Sequence, residues 1–391
     1  MRYFSNSMRL SSMLAGALLL SACSSTLFGS QDSQQESEPV VTSQIRVAWS
    51  ADLDQRRPAA TIGISKPAVV QGEAGELIIA GAQDKRVRIY DRNGSELHRV
   101  AMSAAGESGA VQLANGVVVV GDADGKLFGI DVNQGAVVWQ VQLSASLLSR
   151  PVLVGNDFIV QTENNQVFRF SADGQKLWSF SGPQGGLGIQ LQPSPVVYRE
   201  YVYVAMKNGD VVALKAANGS FLWKRQLLLN SDAAVLSELK VPVATPVVIP
   251  AEISGRNEDM LAVPVFQGEL FFLSLLDGST LMSRNLSLKS SPLHIGKHIF
   301  VADETGALSM LNTDGGDTLW KQQLSTGELA GPVLWQQNLW VADEFGKVYR
   351  LNLEGKLLAT VELAGRIDLS PVVTSDGVLV RNNLGTLFKL R

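Results

Sequence analysis

The sequence predicts an all-β protein, an eight-bladed β-propeller with four antiparallel strands per blade and a ring closed by an N-terminal strand. Three observations carry that prediction. Stretches 110–143, 195–227 and 292–324 align as copies of one unit of about 40 residues, the period of a four-stranded propeller blade. A glycine before the third strand of the unit recurs as Gly125, Gly209, Gly268, Gly306, Gly346 and Gly385, with Lys85 and Asn165 in its place twice, which makes eight units. Finally, the last unit, from Ser370, holds only three strands (PVV, VLVRN, TLFKL), and the missing fourth stands at the other end as Trp49-Ser50-Ala51-Asp52-Leu53.

Taken in order, each unit opens with a proline or small residue. Two apolar runs follow, flanking an Asn-Gly, Asp-Gly or equivalent turn, the pattern of an antiparallel hairpin. A second glycine turn then leads to Leu/Val-Trp-x-x-x-Leu, as at Trp139/Leu143, Trp223/Leu227 and Trp320/Leu324. Trp49/Leu53 keeps the same spacing, so this segment is expected to complete the last blade. An open array would expose a long unpaired strand edge. Four residues beyond the turn glycines at 94, 135, 174, 219, 278, 316 and 355 stand His98, Trp139, Trp178, Trp223, Met282, Trp320 and Ala359. A tryptophan at a fixed repeat position is expected to pack between blades with its N–H bonded to the neighbour.

The N-terminus reads as an address. Residues 1–22 carry Arg2 and Arg9, no acid and the apolar run Leu10–Leu20, too short to span a bilayer. Leu20-Ser21-Ala22-Cys23 has the form of a bacterial lipoprotein signal, with Cys23, the chain's one cysteine, as the residue lipidated. Ser24 rather than Asp after it resembles the pattern for delivery to the outer membrane. Residues 24–44 are rich in Ser and Gln, with three acids and no base, and read as a flexible tether. Fully extended they would reach about 70 Å. The expected organisation is therefore a signal over 1–22, a lipidated tether over 23–44 and the propeller over 45–391.

Composition excludes several function classes. Removing the signal takes away two arginines and no acid, moving the net charge from −4 to −6. No basic run would track a phosphate backbone, which argues against nucleic acid as a partner. His98 sits at a tryptophan position, and a hairpin turn separates His294 from His298, leaving no metal-ligand set among three histidines. The glycine-rich stretch 182–188 lacks the Lys-Ser/Thr of a phosphate-binding loop. No catalytic residue, cofactor site or metal site is expected.

Two family resemblances follow from these residues. The Gly-x-x-x-Leu-Trp repeat is similar to that of pyrroloquinoline-quinone dehydrogenases, which implies a lipid-anchored oxidoreductase as the alternative. Those enzymes are longer and usually carry adjacent cysteines and a calcium ion, for which this chain offers no ligand cluster. The combination of lipobox, acidic tether, eight units and split last blade resembles the BamB family of outer-membrane protein assembly factors over essentially the whole chain. That resemblance implies a non-enzymatic lipoprotein scaffold on the periplasmic face of the outer membrane. Its partner would be the POTRA domains of BamA, in the machinery that folds and inserts β-barrel proteins, with unfolded outer-membrane proteins as further partners. A scaffold for another envelope complex stays open.

Most connections between units are short, but Ser181–Ser194 and Leu228–Ala244 are not. They follow consecutive blades, so they are expected side by side on one face, and loops of this length are typically functional or disordered. Leu187, Ile189 and Leu191 in the first, and Leu228, Leu229, Leu236 and Leu239 in the second, either form a contact surface or fold back over the blades. The BamB resemblance implies partner binding through a Leu-x-Leu-Arg segment in the first loop and acids in the second. Leu187-Gly188-Ile189-Gln190 keeps the apolar pair with Gln190 in place of Arg; Glu238 matches the first acid and Lys240 replaces the next. A third insertion, Pro250–Asp259, reads as a polar segment on the opposite face.

Overall fold

The computed structural model describes residues 44–54, 65–106, 108–183, 192–227 and 240–391. These form eight four-stranded antiparallel sheets, and in seven the strand order follows the chain from the inner to the outer edge. The eighth is the split blade: Val372–Thr374, Gly377–Arg381 and Thr386–Leu390 are completed by Val47–Asp52 from the N-terminus. Ser50, Ala51 and Asp52 pair with Phe388, Leu387 and Thr386. Reciprocal bonds of 2.9 Å join the backbones of Arg46 and Arg391. The expected closure is the one observed.

Alternation in the strands feeds two interfaces at once, because successive side chains point to opposite faces of a sheet and hence to the two neighbouring blades. Second strands such as Val118–Gly121 are buried on both faces and read as unbroken apolar runs. Each adjacent pair of blades shares one apolar cluster, from the Val70, Ile89 and Phe128 cluster of blades 1 and 2 to the Leu53, Ile78 and Leu387 cluster that joins blade 8 to blade 1. Ile45 enters the cluster between blades 7 and 8, so the N-terminal segment contributes to two interfaces. No single large core is needed, and this is how the chain exceeds the usual single-core size.

The tryptophan positions behave as expected. Nε1 of Trp49, Trp139, Trp178, Trp223 and Trp320 donates to Arg92, Ala172, Ala216, Leu275 and Leu353 carbonyls at 2.9–3.1 Å, each acceptor lying at the outer hairpin turn of the next blade. His98, as the Nε2–H tautomer, does the same to Asn133 O at 3.0 Å. The turn glycine lies directly under the ring. A Cβ on Gly174, which has φ 76°, would sit 2.9 Å from Trp139. Both the left-handed backbone and the ring above it therefore require glycine there.

Two members of the series depart for different reasons. Ala359 of blade 7 faces blade 8, whose third and outer strands come from opposite chain ends and have no turn to receive an indole. At Met282 the bridge is made by arginines: Arg284 Nε donates to Gly316 O at 2.9 Å and Arg256 Nε to Asp314 O at 2.8 Å. Arg256 Nη2 also lies 3.5 Å from Met282 Sδ. The segment 250–259 is thus a built part of the blade 5–6 interface rather than a simple polar insertion. It makes a helical turn, Ala251–Ser254, closed by Gly255 at φ 74° and tied by Asp259, which accepts the Ala251 N–H at 2.8 Å.

A feature absent from the sequence reading is a β-bulge in every outer strand pair. Gly129 pairs with Trp139 but Ile130 with Val137, leaving Val138 unpaired. The same skip falls on Leu97, Leu177, Leu222, Leu281, Leu319 and Leu358, and in the split blade on Ala48. Each skipped residue immediately precedes the tryptophan position. The bulge twists the strand locally, aims the indole at the next blade and bends an exposed edge away from further pairing.

Candidate partner-binding face

Strand direction places the turns between second and third strands on the same face as the blade-to-blade connections. Aspartates stiffen that face. Asp122 Oδ1 accepts the N–H groups of Asp124 and Lys126 at 3.1 and 2.9 Å within its turn. Its Oδ2 takes Ser103 Oγ at 2.5 Å and Ala104 N at 3.0 Å from the connection arriving from blade 1. Asp303, Asp343 and Asn382 repeat the inner half of this arrangement.

Around blades 6 to 8 the face is closed by an ion-pair network. Lys289, in the connection entering blade 6, bonds Glu328 of the next connection. Arg366, entering blade 8, reaches Glu328 at 3.5 Å, Glu344 at 2.8 Å and Asp368 at 2.5 Å. Burial pulls the Arg366 guanidinium down, but the carboxylates of Asp368, Glu344 and Glu328 outweigh it and hold it above its ordinary value.

Blades 3 to 5 carry the long connections instead. Leu187, Ile189 and Gln190 of the first, and Glu238 of the second, lie outside the described residues, as does Cys23. The roots of both connections are described and sit side by side. Pro183 O accepts Asn165 Nδ2 at 2.8 Å, and buried Gln192 donates to Thr162 O at 2.7 Å, both on the blade 3 turn. Leu227 N bonds Gly209 O at 3.0 Å on the blade 4 turn. Val241, Val243 and Phe266 form a small buried cluster on the blade 5 turn, with Lys289 Nζ 4.6 Å from the Phe266 ring. The blade 3 and 4 turns are themselves linked: Asn165 Oδ1 accepts Lys207 N at 3.2 Å, and Lys207 Nζ reaches Glu163 at 3.1 Å. A hydrogen bond from Ser146, with the Lys207 contact, keeps the Glu163 carboxyl below its usual range.

The expected neighbourhood of the two loop roots is therefore present, and 250–259 leaves the opposite face, as its position between inner and second strands requires. His294 and His298 stand on adjacent strands of one hairpin, with His294 Nε2 2.7 Å from Gly296 O; burial lowers its pKa. Among the described residues no group of three His, Cys, Asp or Glu is arranged to hold a metal ion. A groove of about 420 Å³ on the same face, between Leu324–Thr326 and Asp343–Lys347, is open and lined by exposed Phe345. Its Tyr349 hydroxyl donates to Asp343 at 2.7 Å. No described helix is long and apolar enough to cross a membrane.

An eight-bladed ring with an ion-paired turn face and two long connections rooted together defines the chain as an eight-bladed β-propeller. The family described as "Outer membrane protein assembly factor BamB" matches residues 49–309 and 304–390, and the chain belongs to that family. Relatives carrying that name occur in Bordetella pertussis, 25% identical over 97% of this chain and 96% of the relative, and in Escherichia coli K12, 25% identical over 96% and 97%. A third, from Yersinia pestis, is 26% identical over 72% of this chain and 70% of its own length. The crystal structure of BamB from Moraxella catarrhalis superposes with a TM-score of 0.74 at 20% identity, covering 89% of this chain and 99% of that one. A quinohemoprotein alcohol dehydrogenase from Comamonas testosteroni shares the fold alone, with a TM-score of 0.68 at 12% identity.

Proposed function

We propose that this protein is a non-enzymatic scaffold of the β-barrel assembly machinery that docks the periplasmic POTRA domains of BamA on its turn face. Family membership makes it an outer membrane protein assembly factor; the partner and the docking site are the further step. The observation that carries this step is the asymmetry of the face: short, ion-paired connections around blades 6 to 8 and two long, leucine-bearing ones rooted together on blades 3 to 5. Leu187 and Ile189 supply the apolar contact, with Gln190 and Glu238 at its rim. Cys23 carries the lipid that holds the protein on the periplasmic side of the outer membrane, and 24–44 lets the ring stand off the bilayer.

The test is affinity capture of BamA from detergent-solubilised membranes. Leu187→Ala with Ile189→Ala should weaken capture at least about tenfold with unchanged thermal stability, since buried interface anchors cost about 1–2 kcal/mol each and ~1.4 kcal/mol is a factor of ten. Lys297→Ala, an exposed change on the opposite face, should leave capture intact. Arg256 is unsuitable as that control because it bridges blades 5 and 6. Loss of capture with Lys297→Ala but not with the double variant would place the partner on the other face. Cys23→Ala should release the protein from membranes; retention would refute the anchor.

A further inference from the structure

The residue before each inner strand's opening proline, or before Ala110 in blade 2, stands at the mouth of the central channel on the turn face. Hydrogen bonds between consecutive members trace this ring: Arg150 N donates to Ser194 Oγ at 3.1 Å, and Ser194 N to Thr245 Oγ1 at 3.0 Å. Six of the eight positions hold small neutral residues, namely Gly109, Ser194, Thr245, Ser291, Gly331 and Ser370. The other two are Lys66 and Arg150, flanking Gly109.

Gly109 makes room for the Arg150 side chain between the two cationic positions. The Arg150 side chain lies over it, so that a Cβ on Gly109 would stand 3.0 Å from Arg150 Cβ and 3.2 Å from Cγ. Arg150 Nε donates to Ala110 O at 2.8 Å, which turns the chain back toward blade 1, where Lys66 stands. Both side chains are open to water although protein surrounds them, as a channel lining demands. Burial, and then the charge of Arg150, pull the Lys66 ammonium down to about 8, so it remains charged at neutral pH. Among the described residues neither cation has a carboxylate partner, and the Arg150 Nη groups and Lys66 Nζ make no hydrogen bond. On the same face, by contrast, Arg366 holds three carboxylates. Two like charges without a carboxylate partner among the described residues, set between low-dielectric walls, focus a positive potential into the channel mouth, and a charge-assisted fork of guanidinium and ammonium suits a small oxyanion.

We propose that the channel mouth binds one oxyanion, a carboxylate or a phosphate, between Lys66 and Arg150. The experiment titrates the full mature chain separately with inorganic phosphate and acetate at fixed ionic strength, by calorimetry and by thermal melting. One of the two should bind saturably at a single site and raise the melting temperature. Tighter phosphate binding identifies a phosphate-bearing ligand, tighter acetate binding a carboxylate, and either result supports the site. Lys66→Gln and Arg150→Gln should each weaken binding about tenfold, as expected for losing a hydrogen bond to a charged group. Arg150→Lys, which keeps the charge and loses the fork, should fall between wild type and Arg150→Gln. Absence of saturable binding of both anions to the wild type overturns the proposal without reference to any variant. So does undiminished binding in the Lys66→Gln/Arg150→Gln double variant, which would mark an adventitious ion only.

Discussion

Asp54 and Arg381 are 327 residues apart in sequence and form a buried ion pair at 3.2 Å, with side chains only 3% and 1% exposed. Asp54 ends the N-terminal segment that completes blade 8, and its other oxygen accepts Gln83 N of blade 1 at 2.7 Å. The Arg381 guanidinium also donates to Ser65 O, Ser65 Oγ and Gly81 O at 2.9, 3.1 and 2.8 Å. One cation thus fastens the N-terminal strand, the start of blade 1 and blade 8. Burial lowers the Arg381 pKa, and the Asp54 charge opposes that shift. Asp54→Ala removes this compensation and leaves a guanidinium buried among neutral acceptors. Breaking a buried pair from one side costs about 3–5 kcal/mol, a large part of the roughly 5–15 kcal/mol that folded proteins hold in reserve. Replacing both partners, as Asp54→Ala with Arg381→Met, should restore most of the loss, since a buried pair is often no better than apolar residues of similar volume. The assay is urea denaturation of wild type, both single variants and the double variant, read as a double-mutant cycle. A cost below about 1 kcal/mol for Asp54→Ala, or a double variant as unstable as the worse single one, would refute the claim that this pair locks the ring.

Deleting residues 45–53 should cause aggregation or a large stability loss by uncovering Leu387 and emptying the sites of Ile45 and Leu53, whereas deleting 24–40 should not change the melting temperature; equal melts would disprove the strand assignment. Trp139→Ala should cost about 3 kcal/mol in denaturant titration, because it removes both the stacking on Phe158 at 5.9 Å and the bond to Ala172 O; Ala359→Trp should gain nothing, having no turn to bond. Asp376 pairs with fully buried Lys389 and with Arg391. Although burial alone would raise its pKa, these partners hold the carboxyl below the usual 3.8. Its contribution is therefore complete above the unfolded value and is lost as pH falls through the lower folded one. Asp376→Asn should flatten that part of the acid limb of a stability–pH curve, and an unchanged limb would count against the pairing.

Much of this architecture was legible in the residues because it is local and repeated. Turn glycines, apolar runs and the Trp-x-x-x-Leu spacing recur at one period, and the surplus strand at one end matches the deficit at the other. The side of the ring that carries each connection also follows, since alternating strands leave no choice of face. The bulge before each tryptophan was not legible, because a skipped pairing adds no distinctive residue: Val138 and Leu177 look like ordinary strand positions. Nor was the role of 250–259, whose Arg256 bridges to Asp314 of the next blade where Met282 of its own blade supplies no indole.

The sequence by itself determined the number of blades, their closure, the bridging role of the tryptophans and the adjacency of the roots of the two long connections. All of these follow from one repeated unit of a few dozen residues and from the way its copies begin and end along the chain. Only the tertiary structure decided which charges meet: Asp54 with Arg381, the cluster around Arg366, and Lys66 beside Arg150 across a glycine. Electrostatic partners act through space, and in a closed ring the residues facing one another at a seam or across the channel come from distant repeats, where spacing along the chain carries no record of the contact.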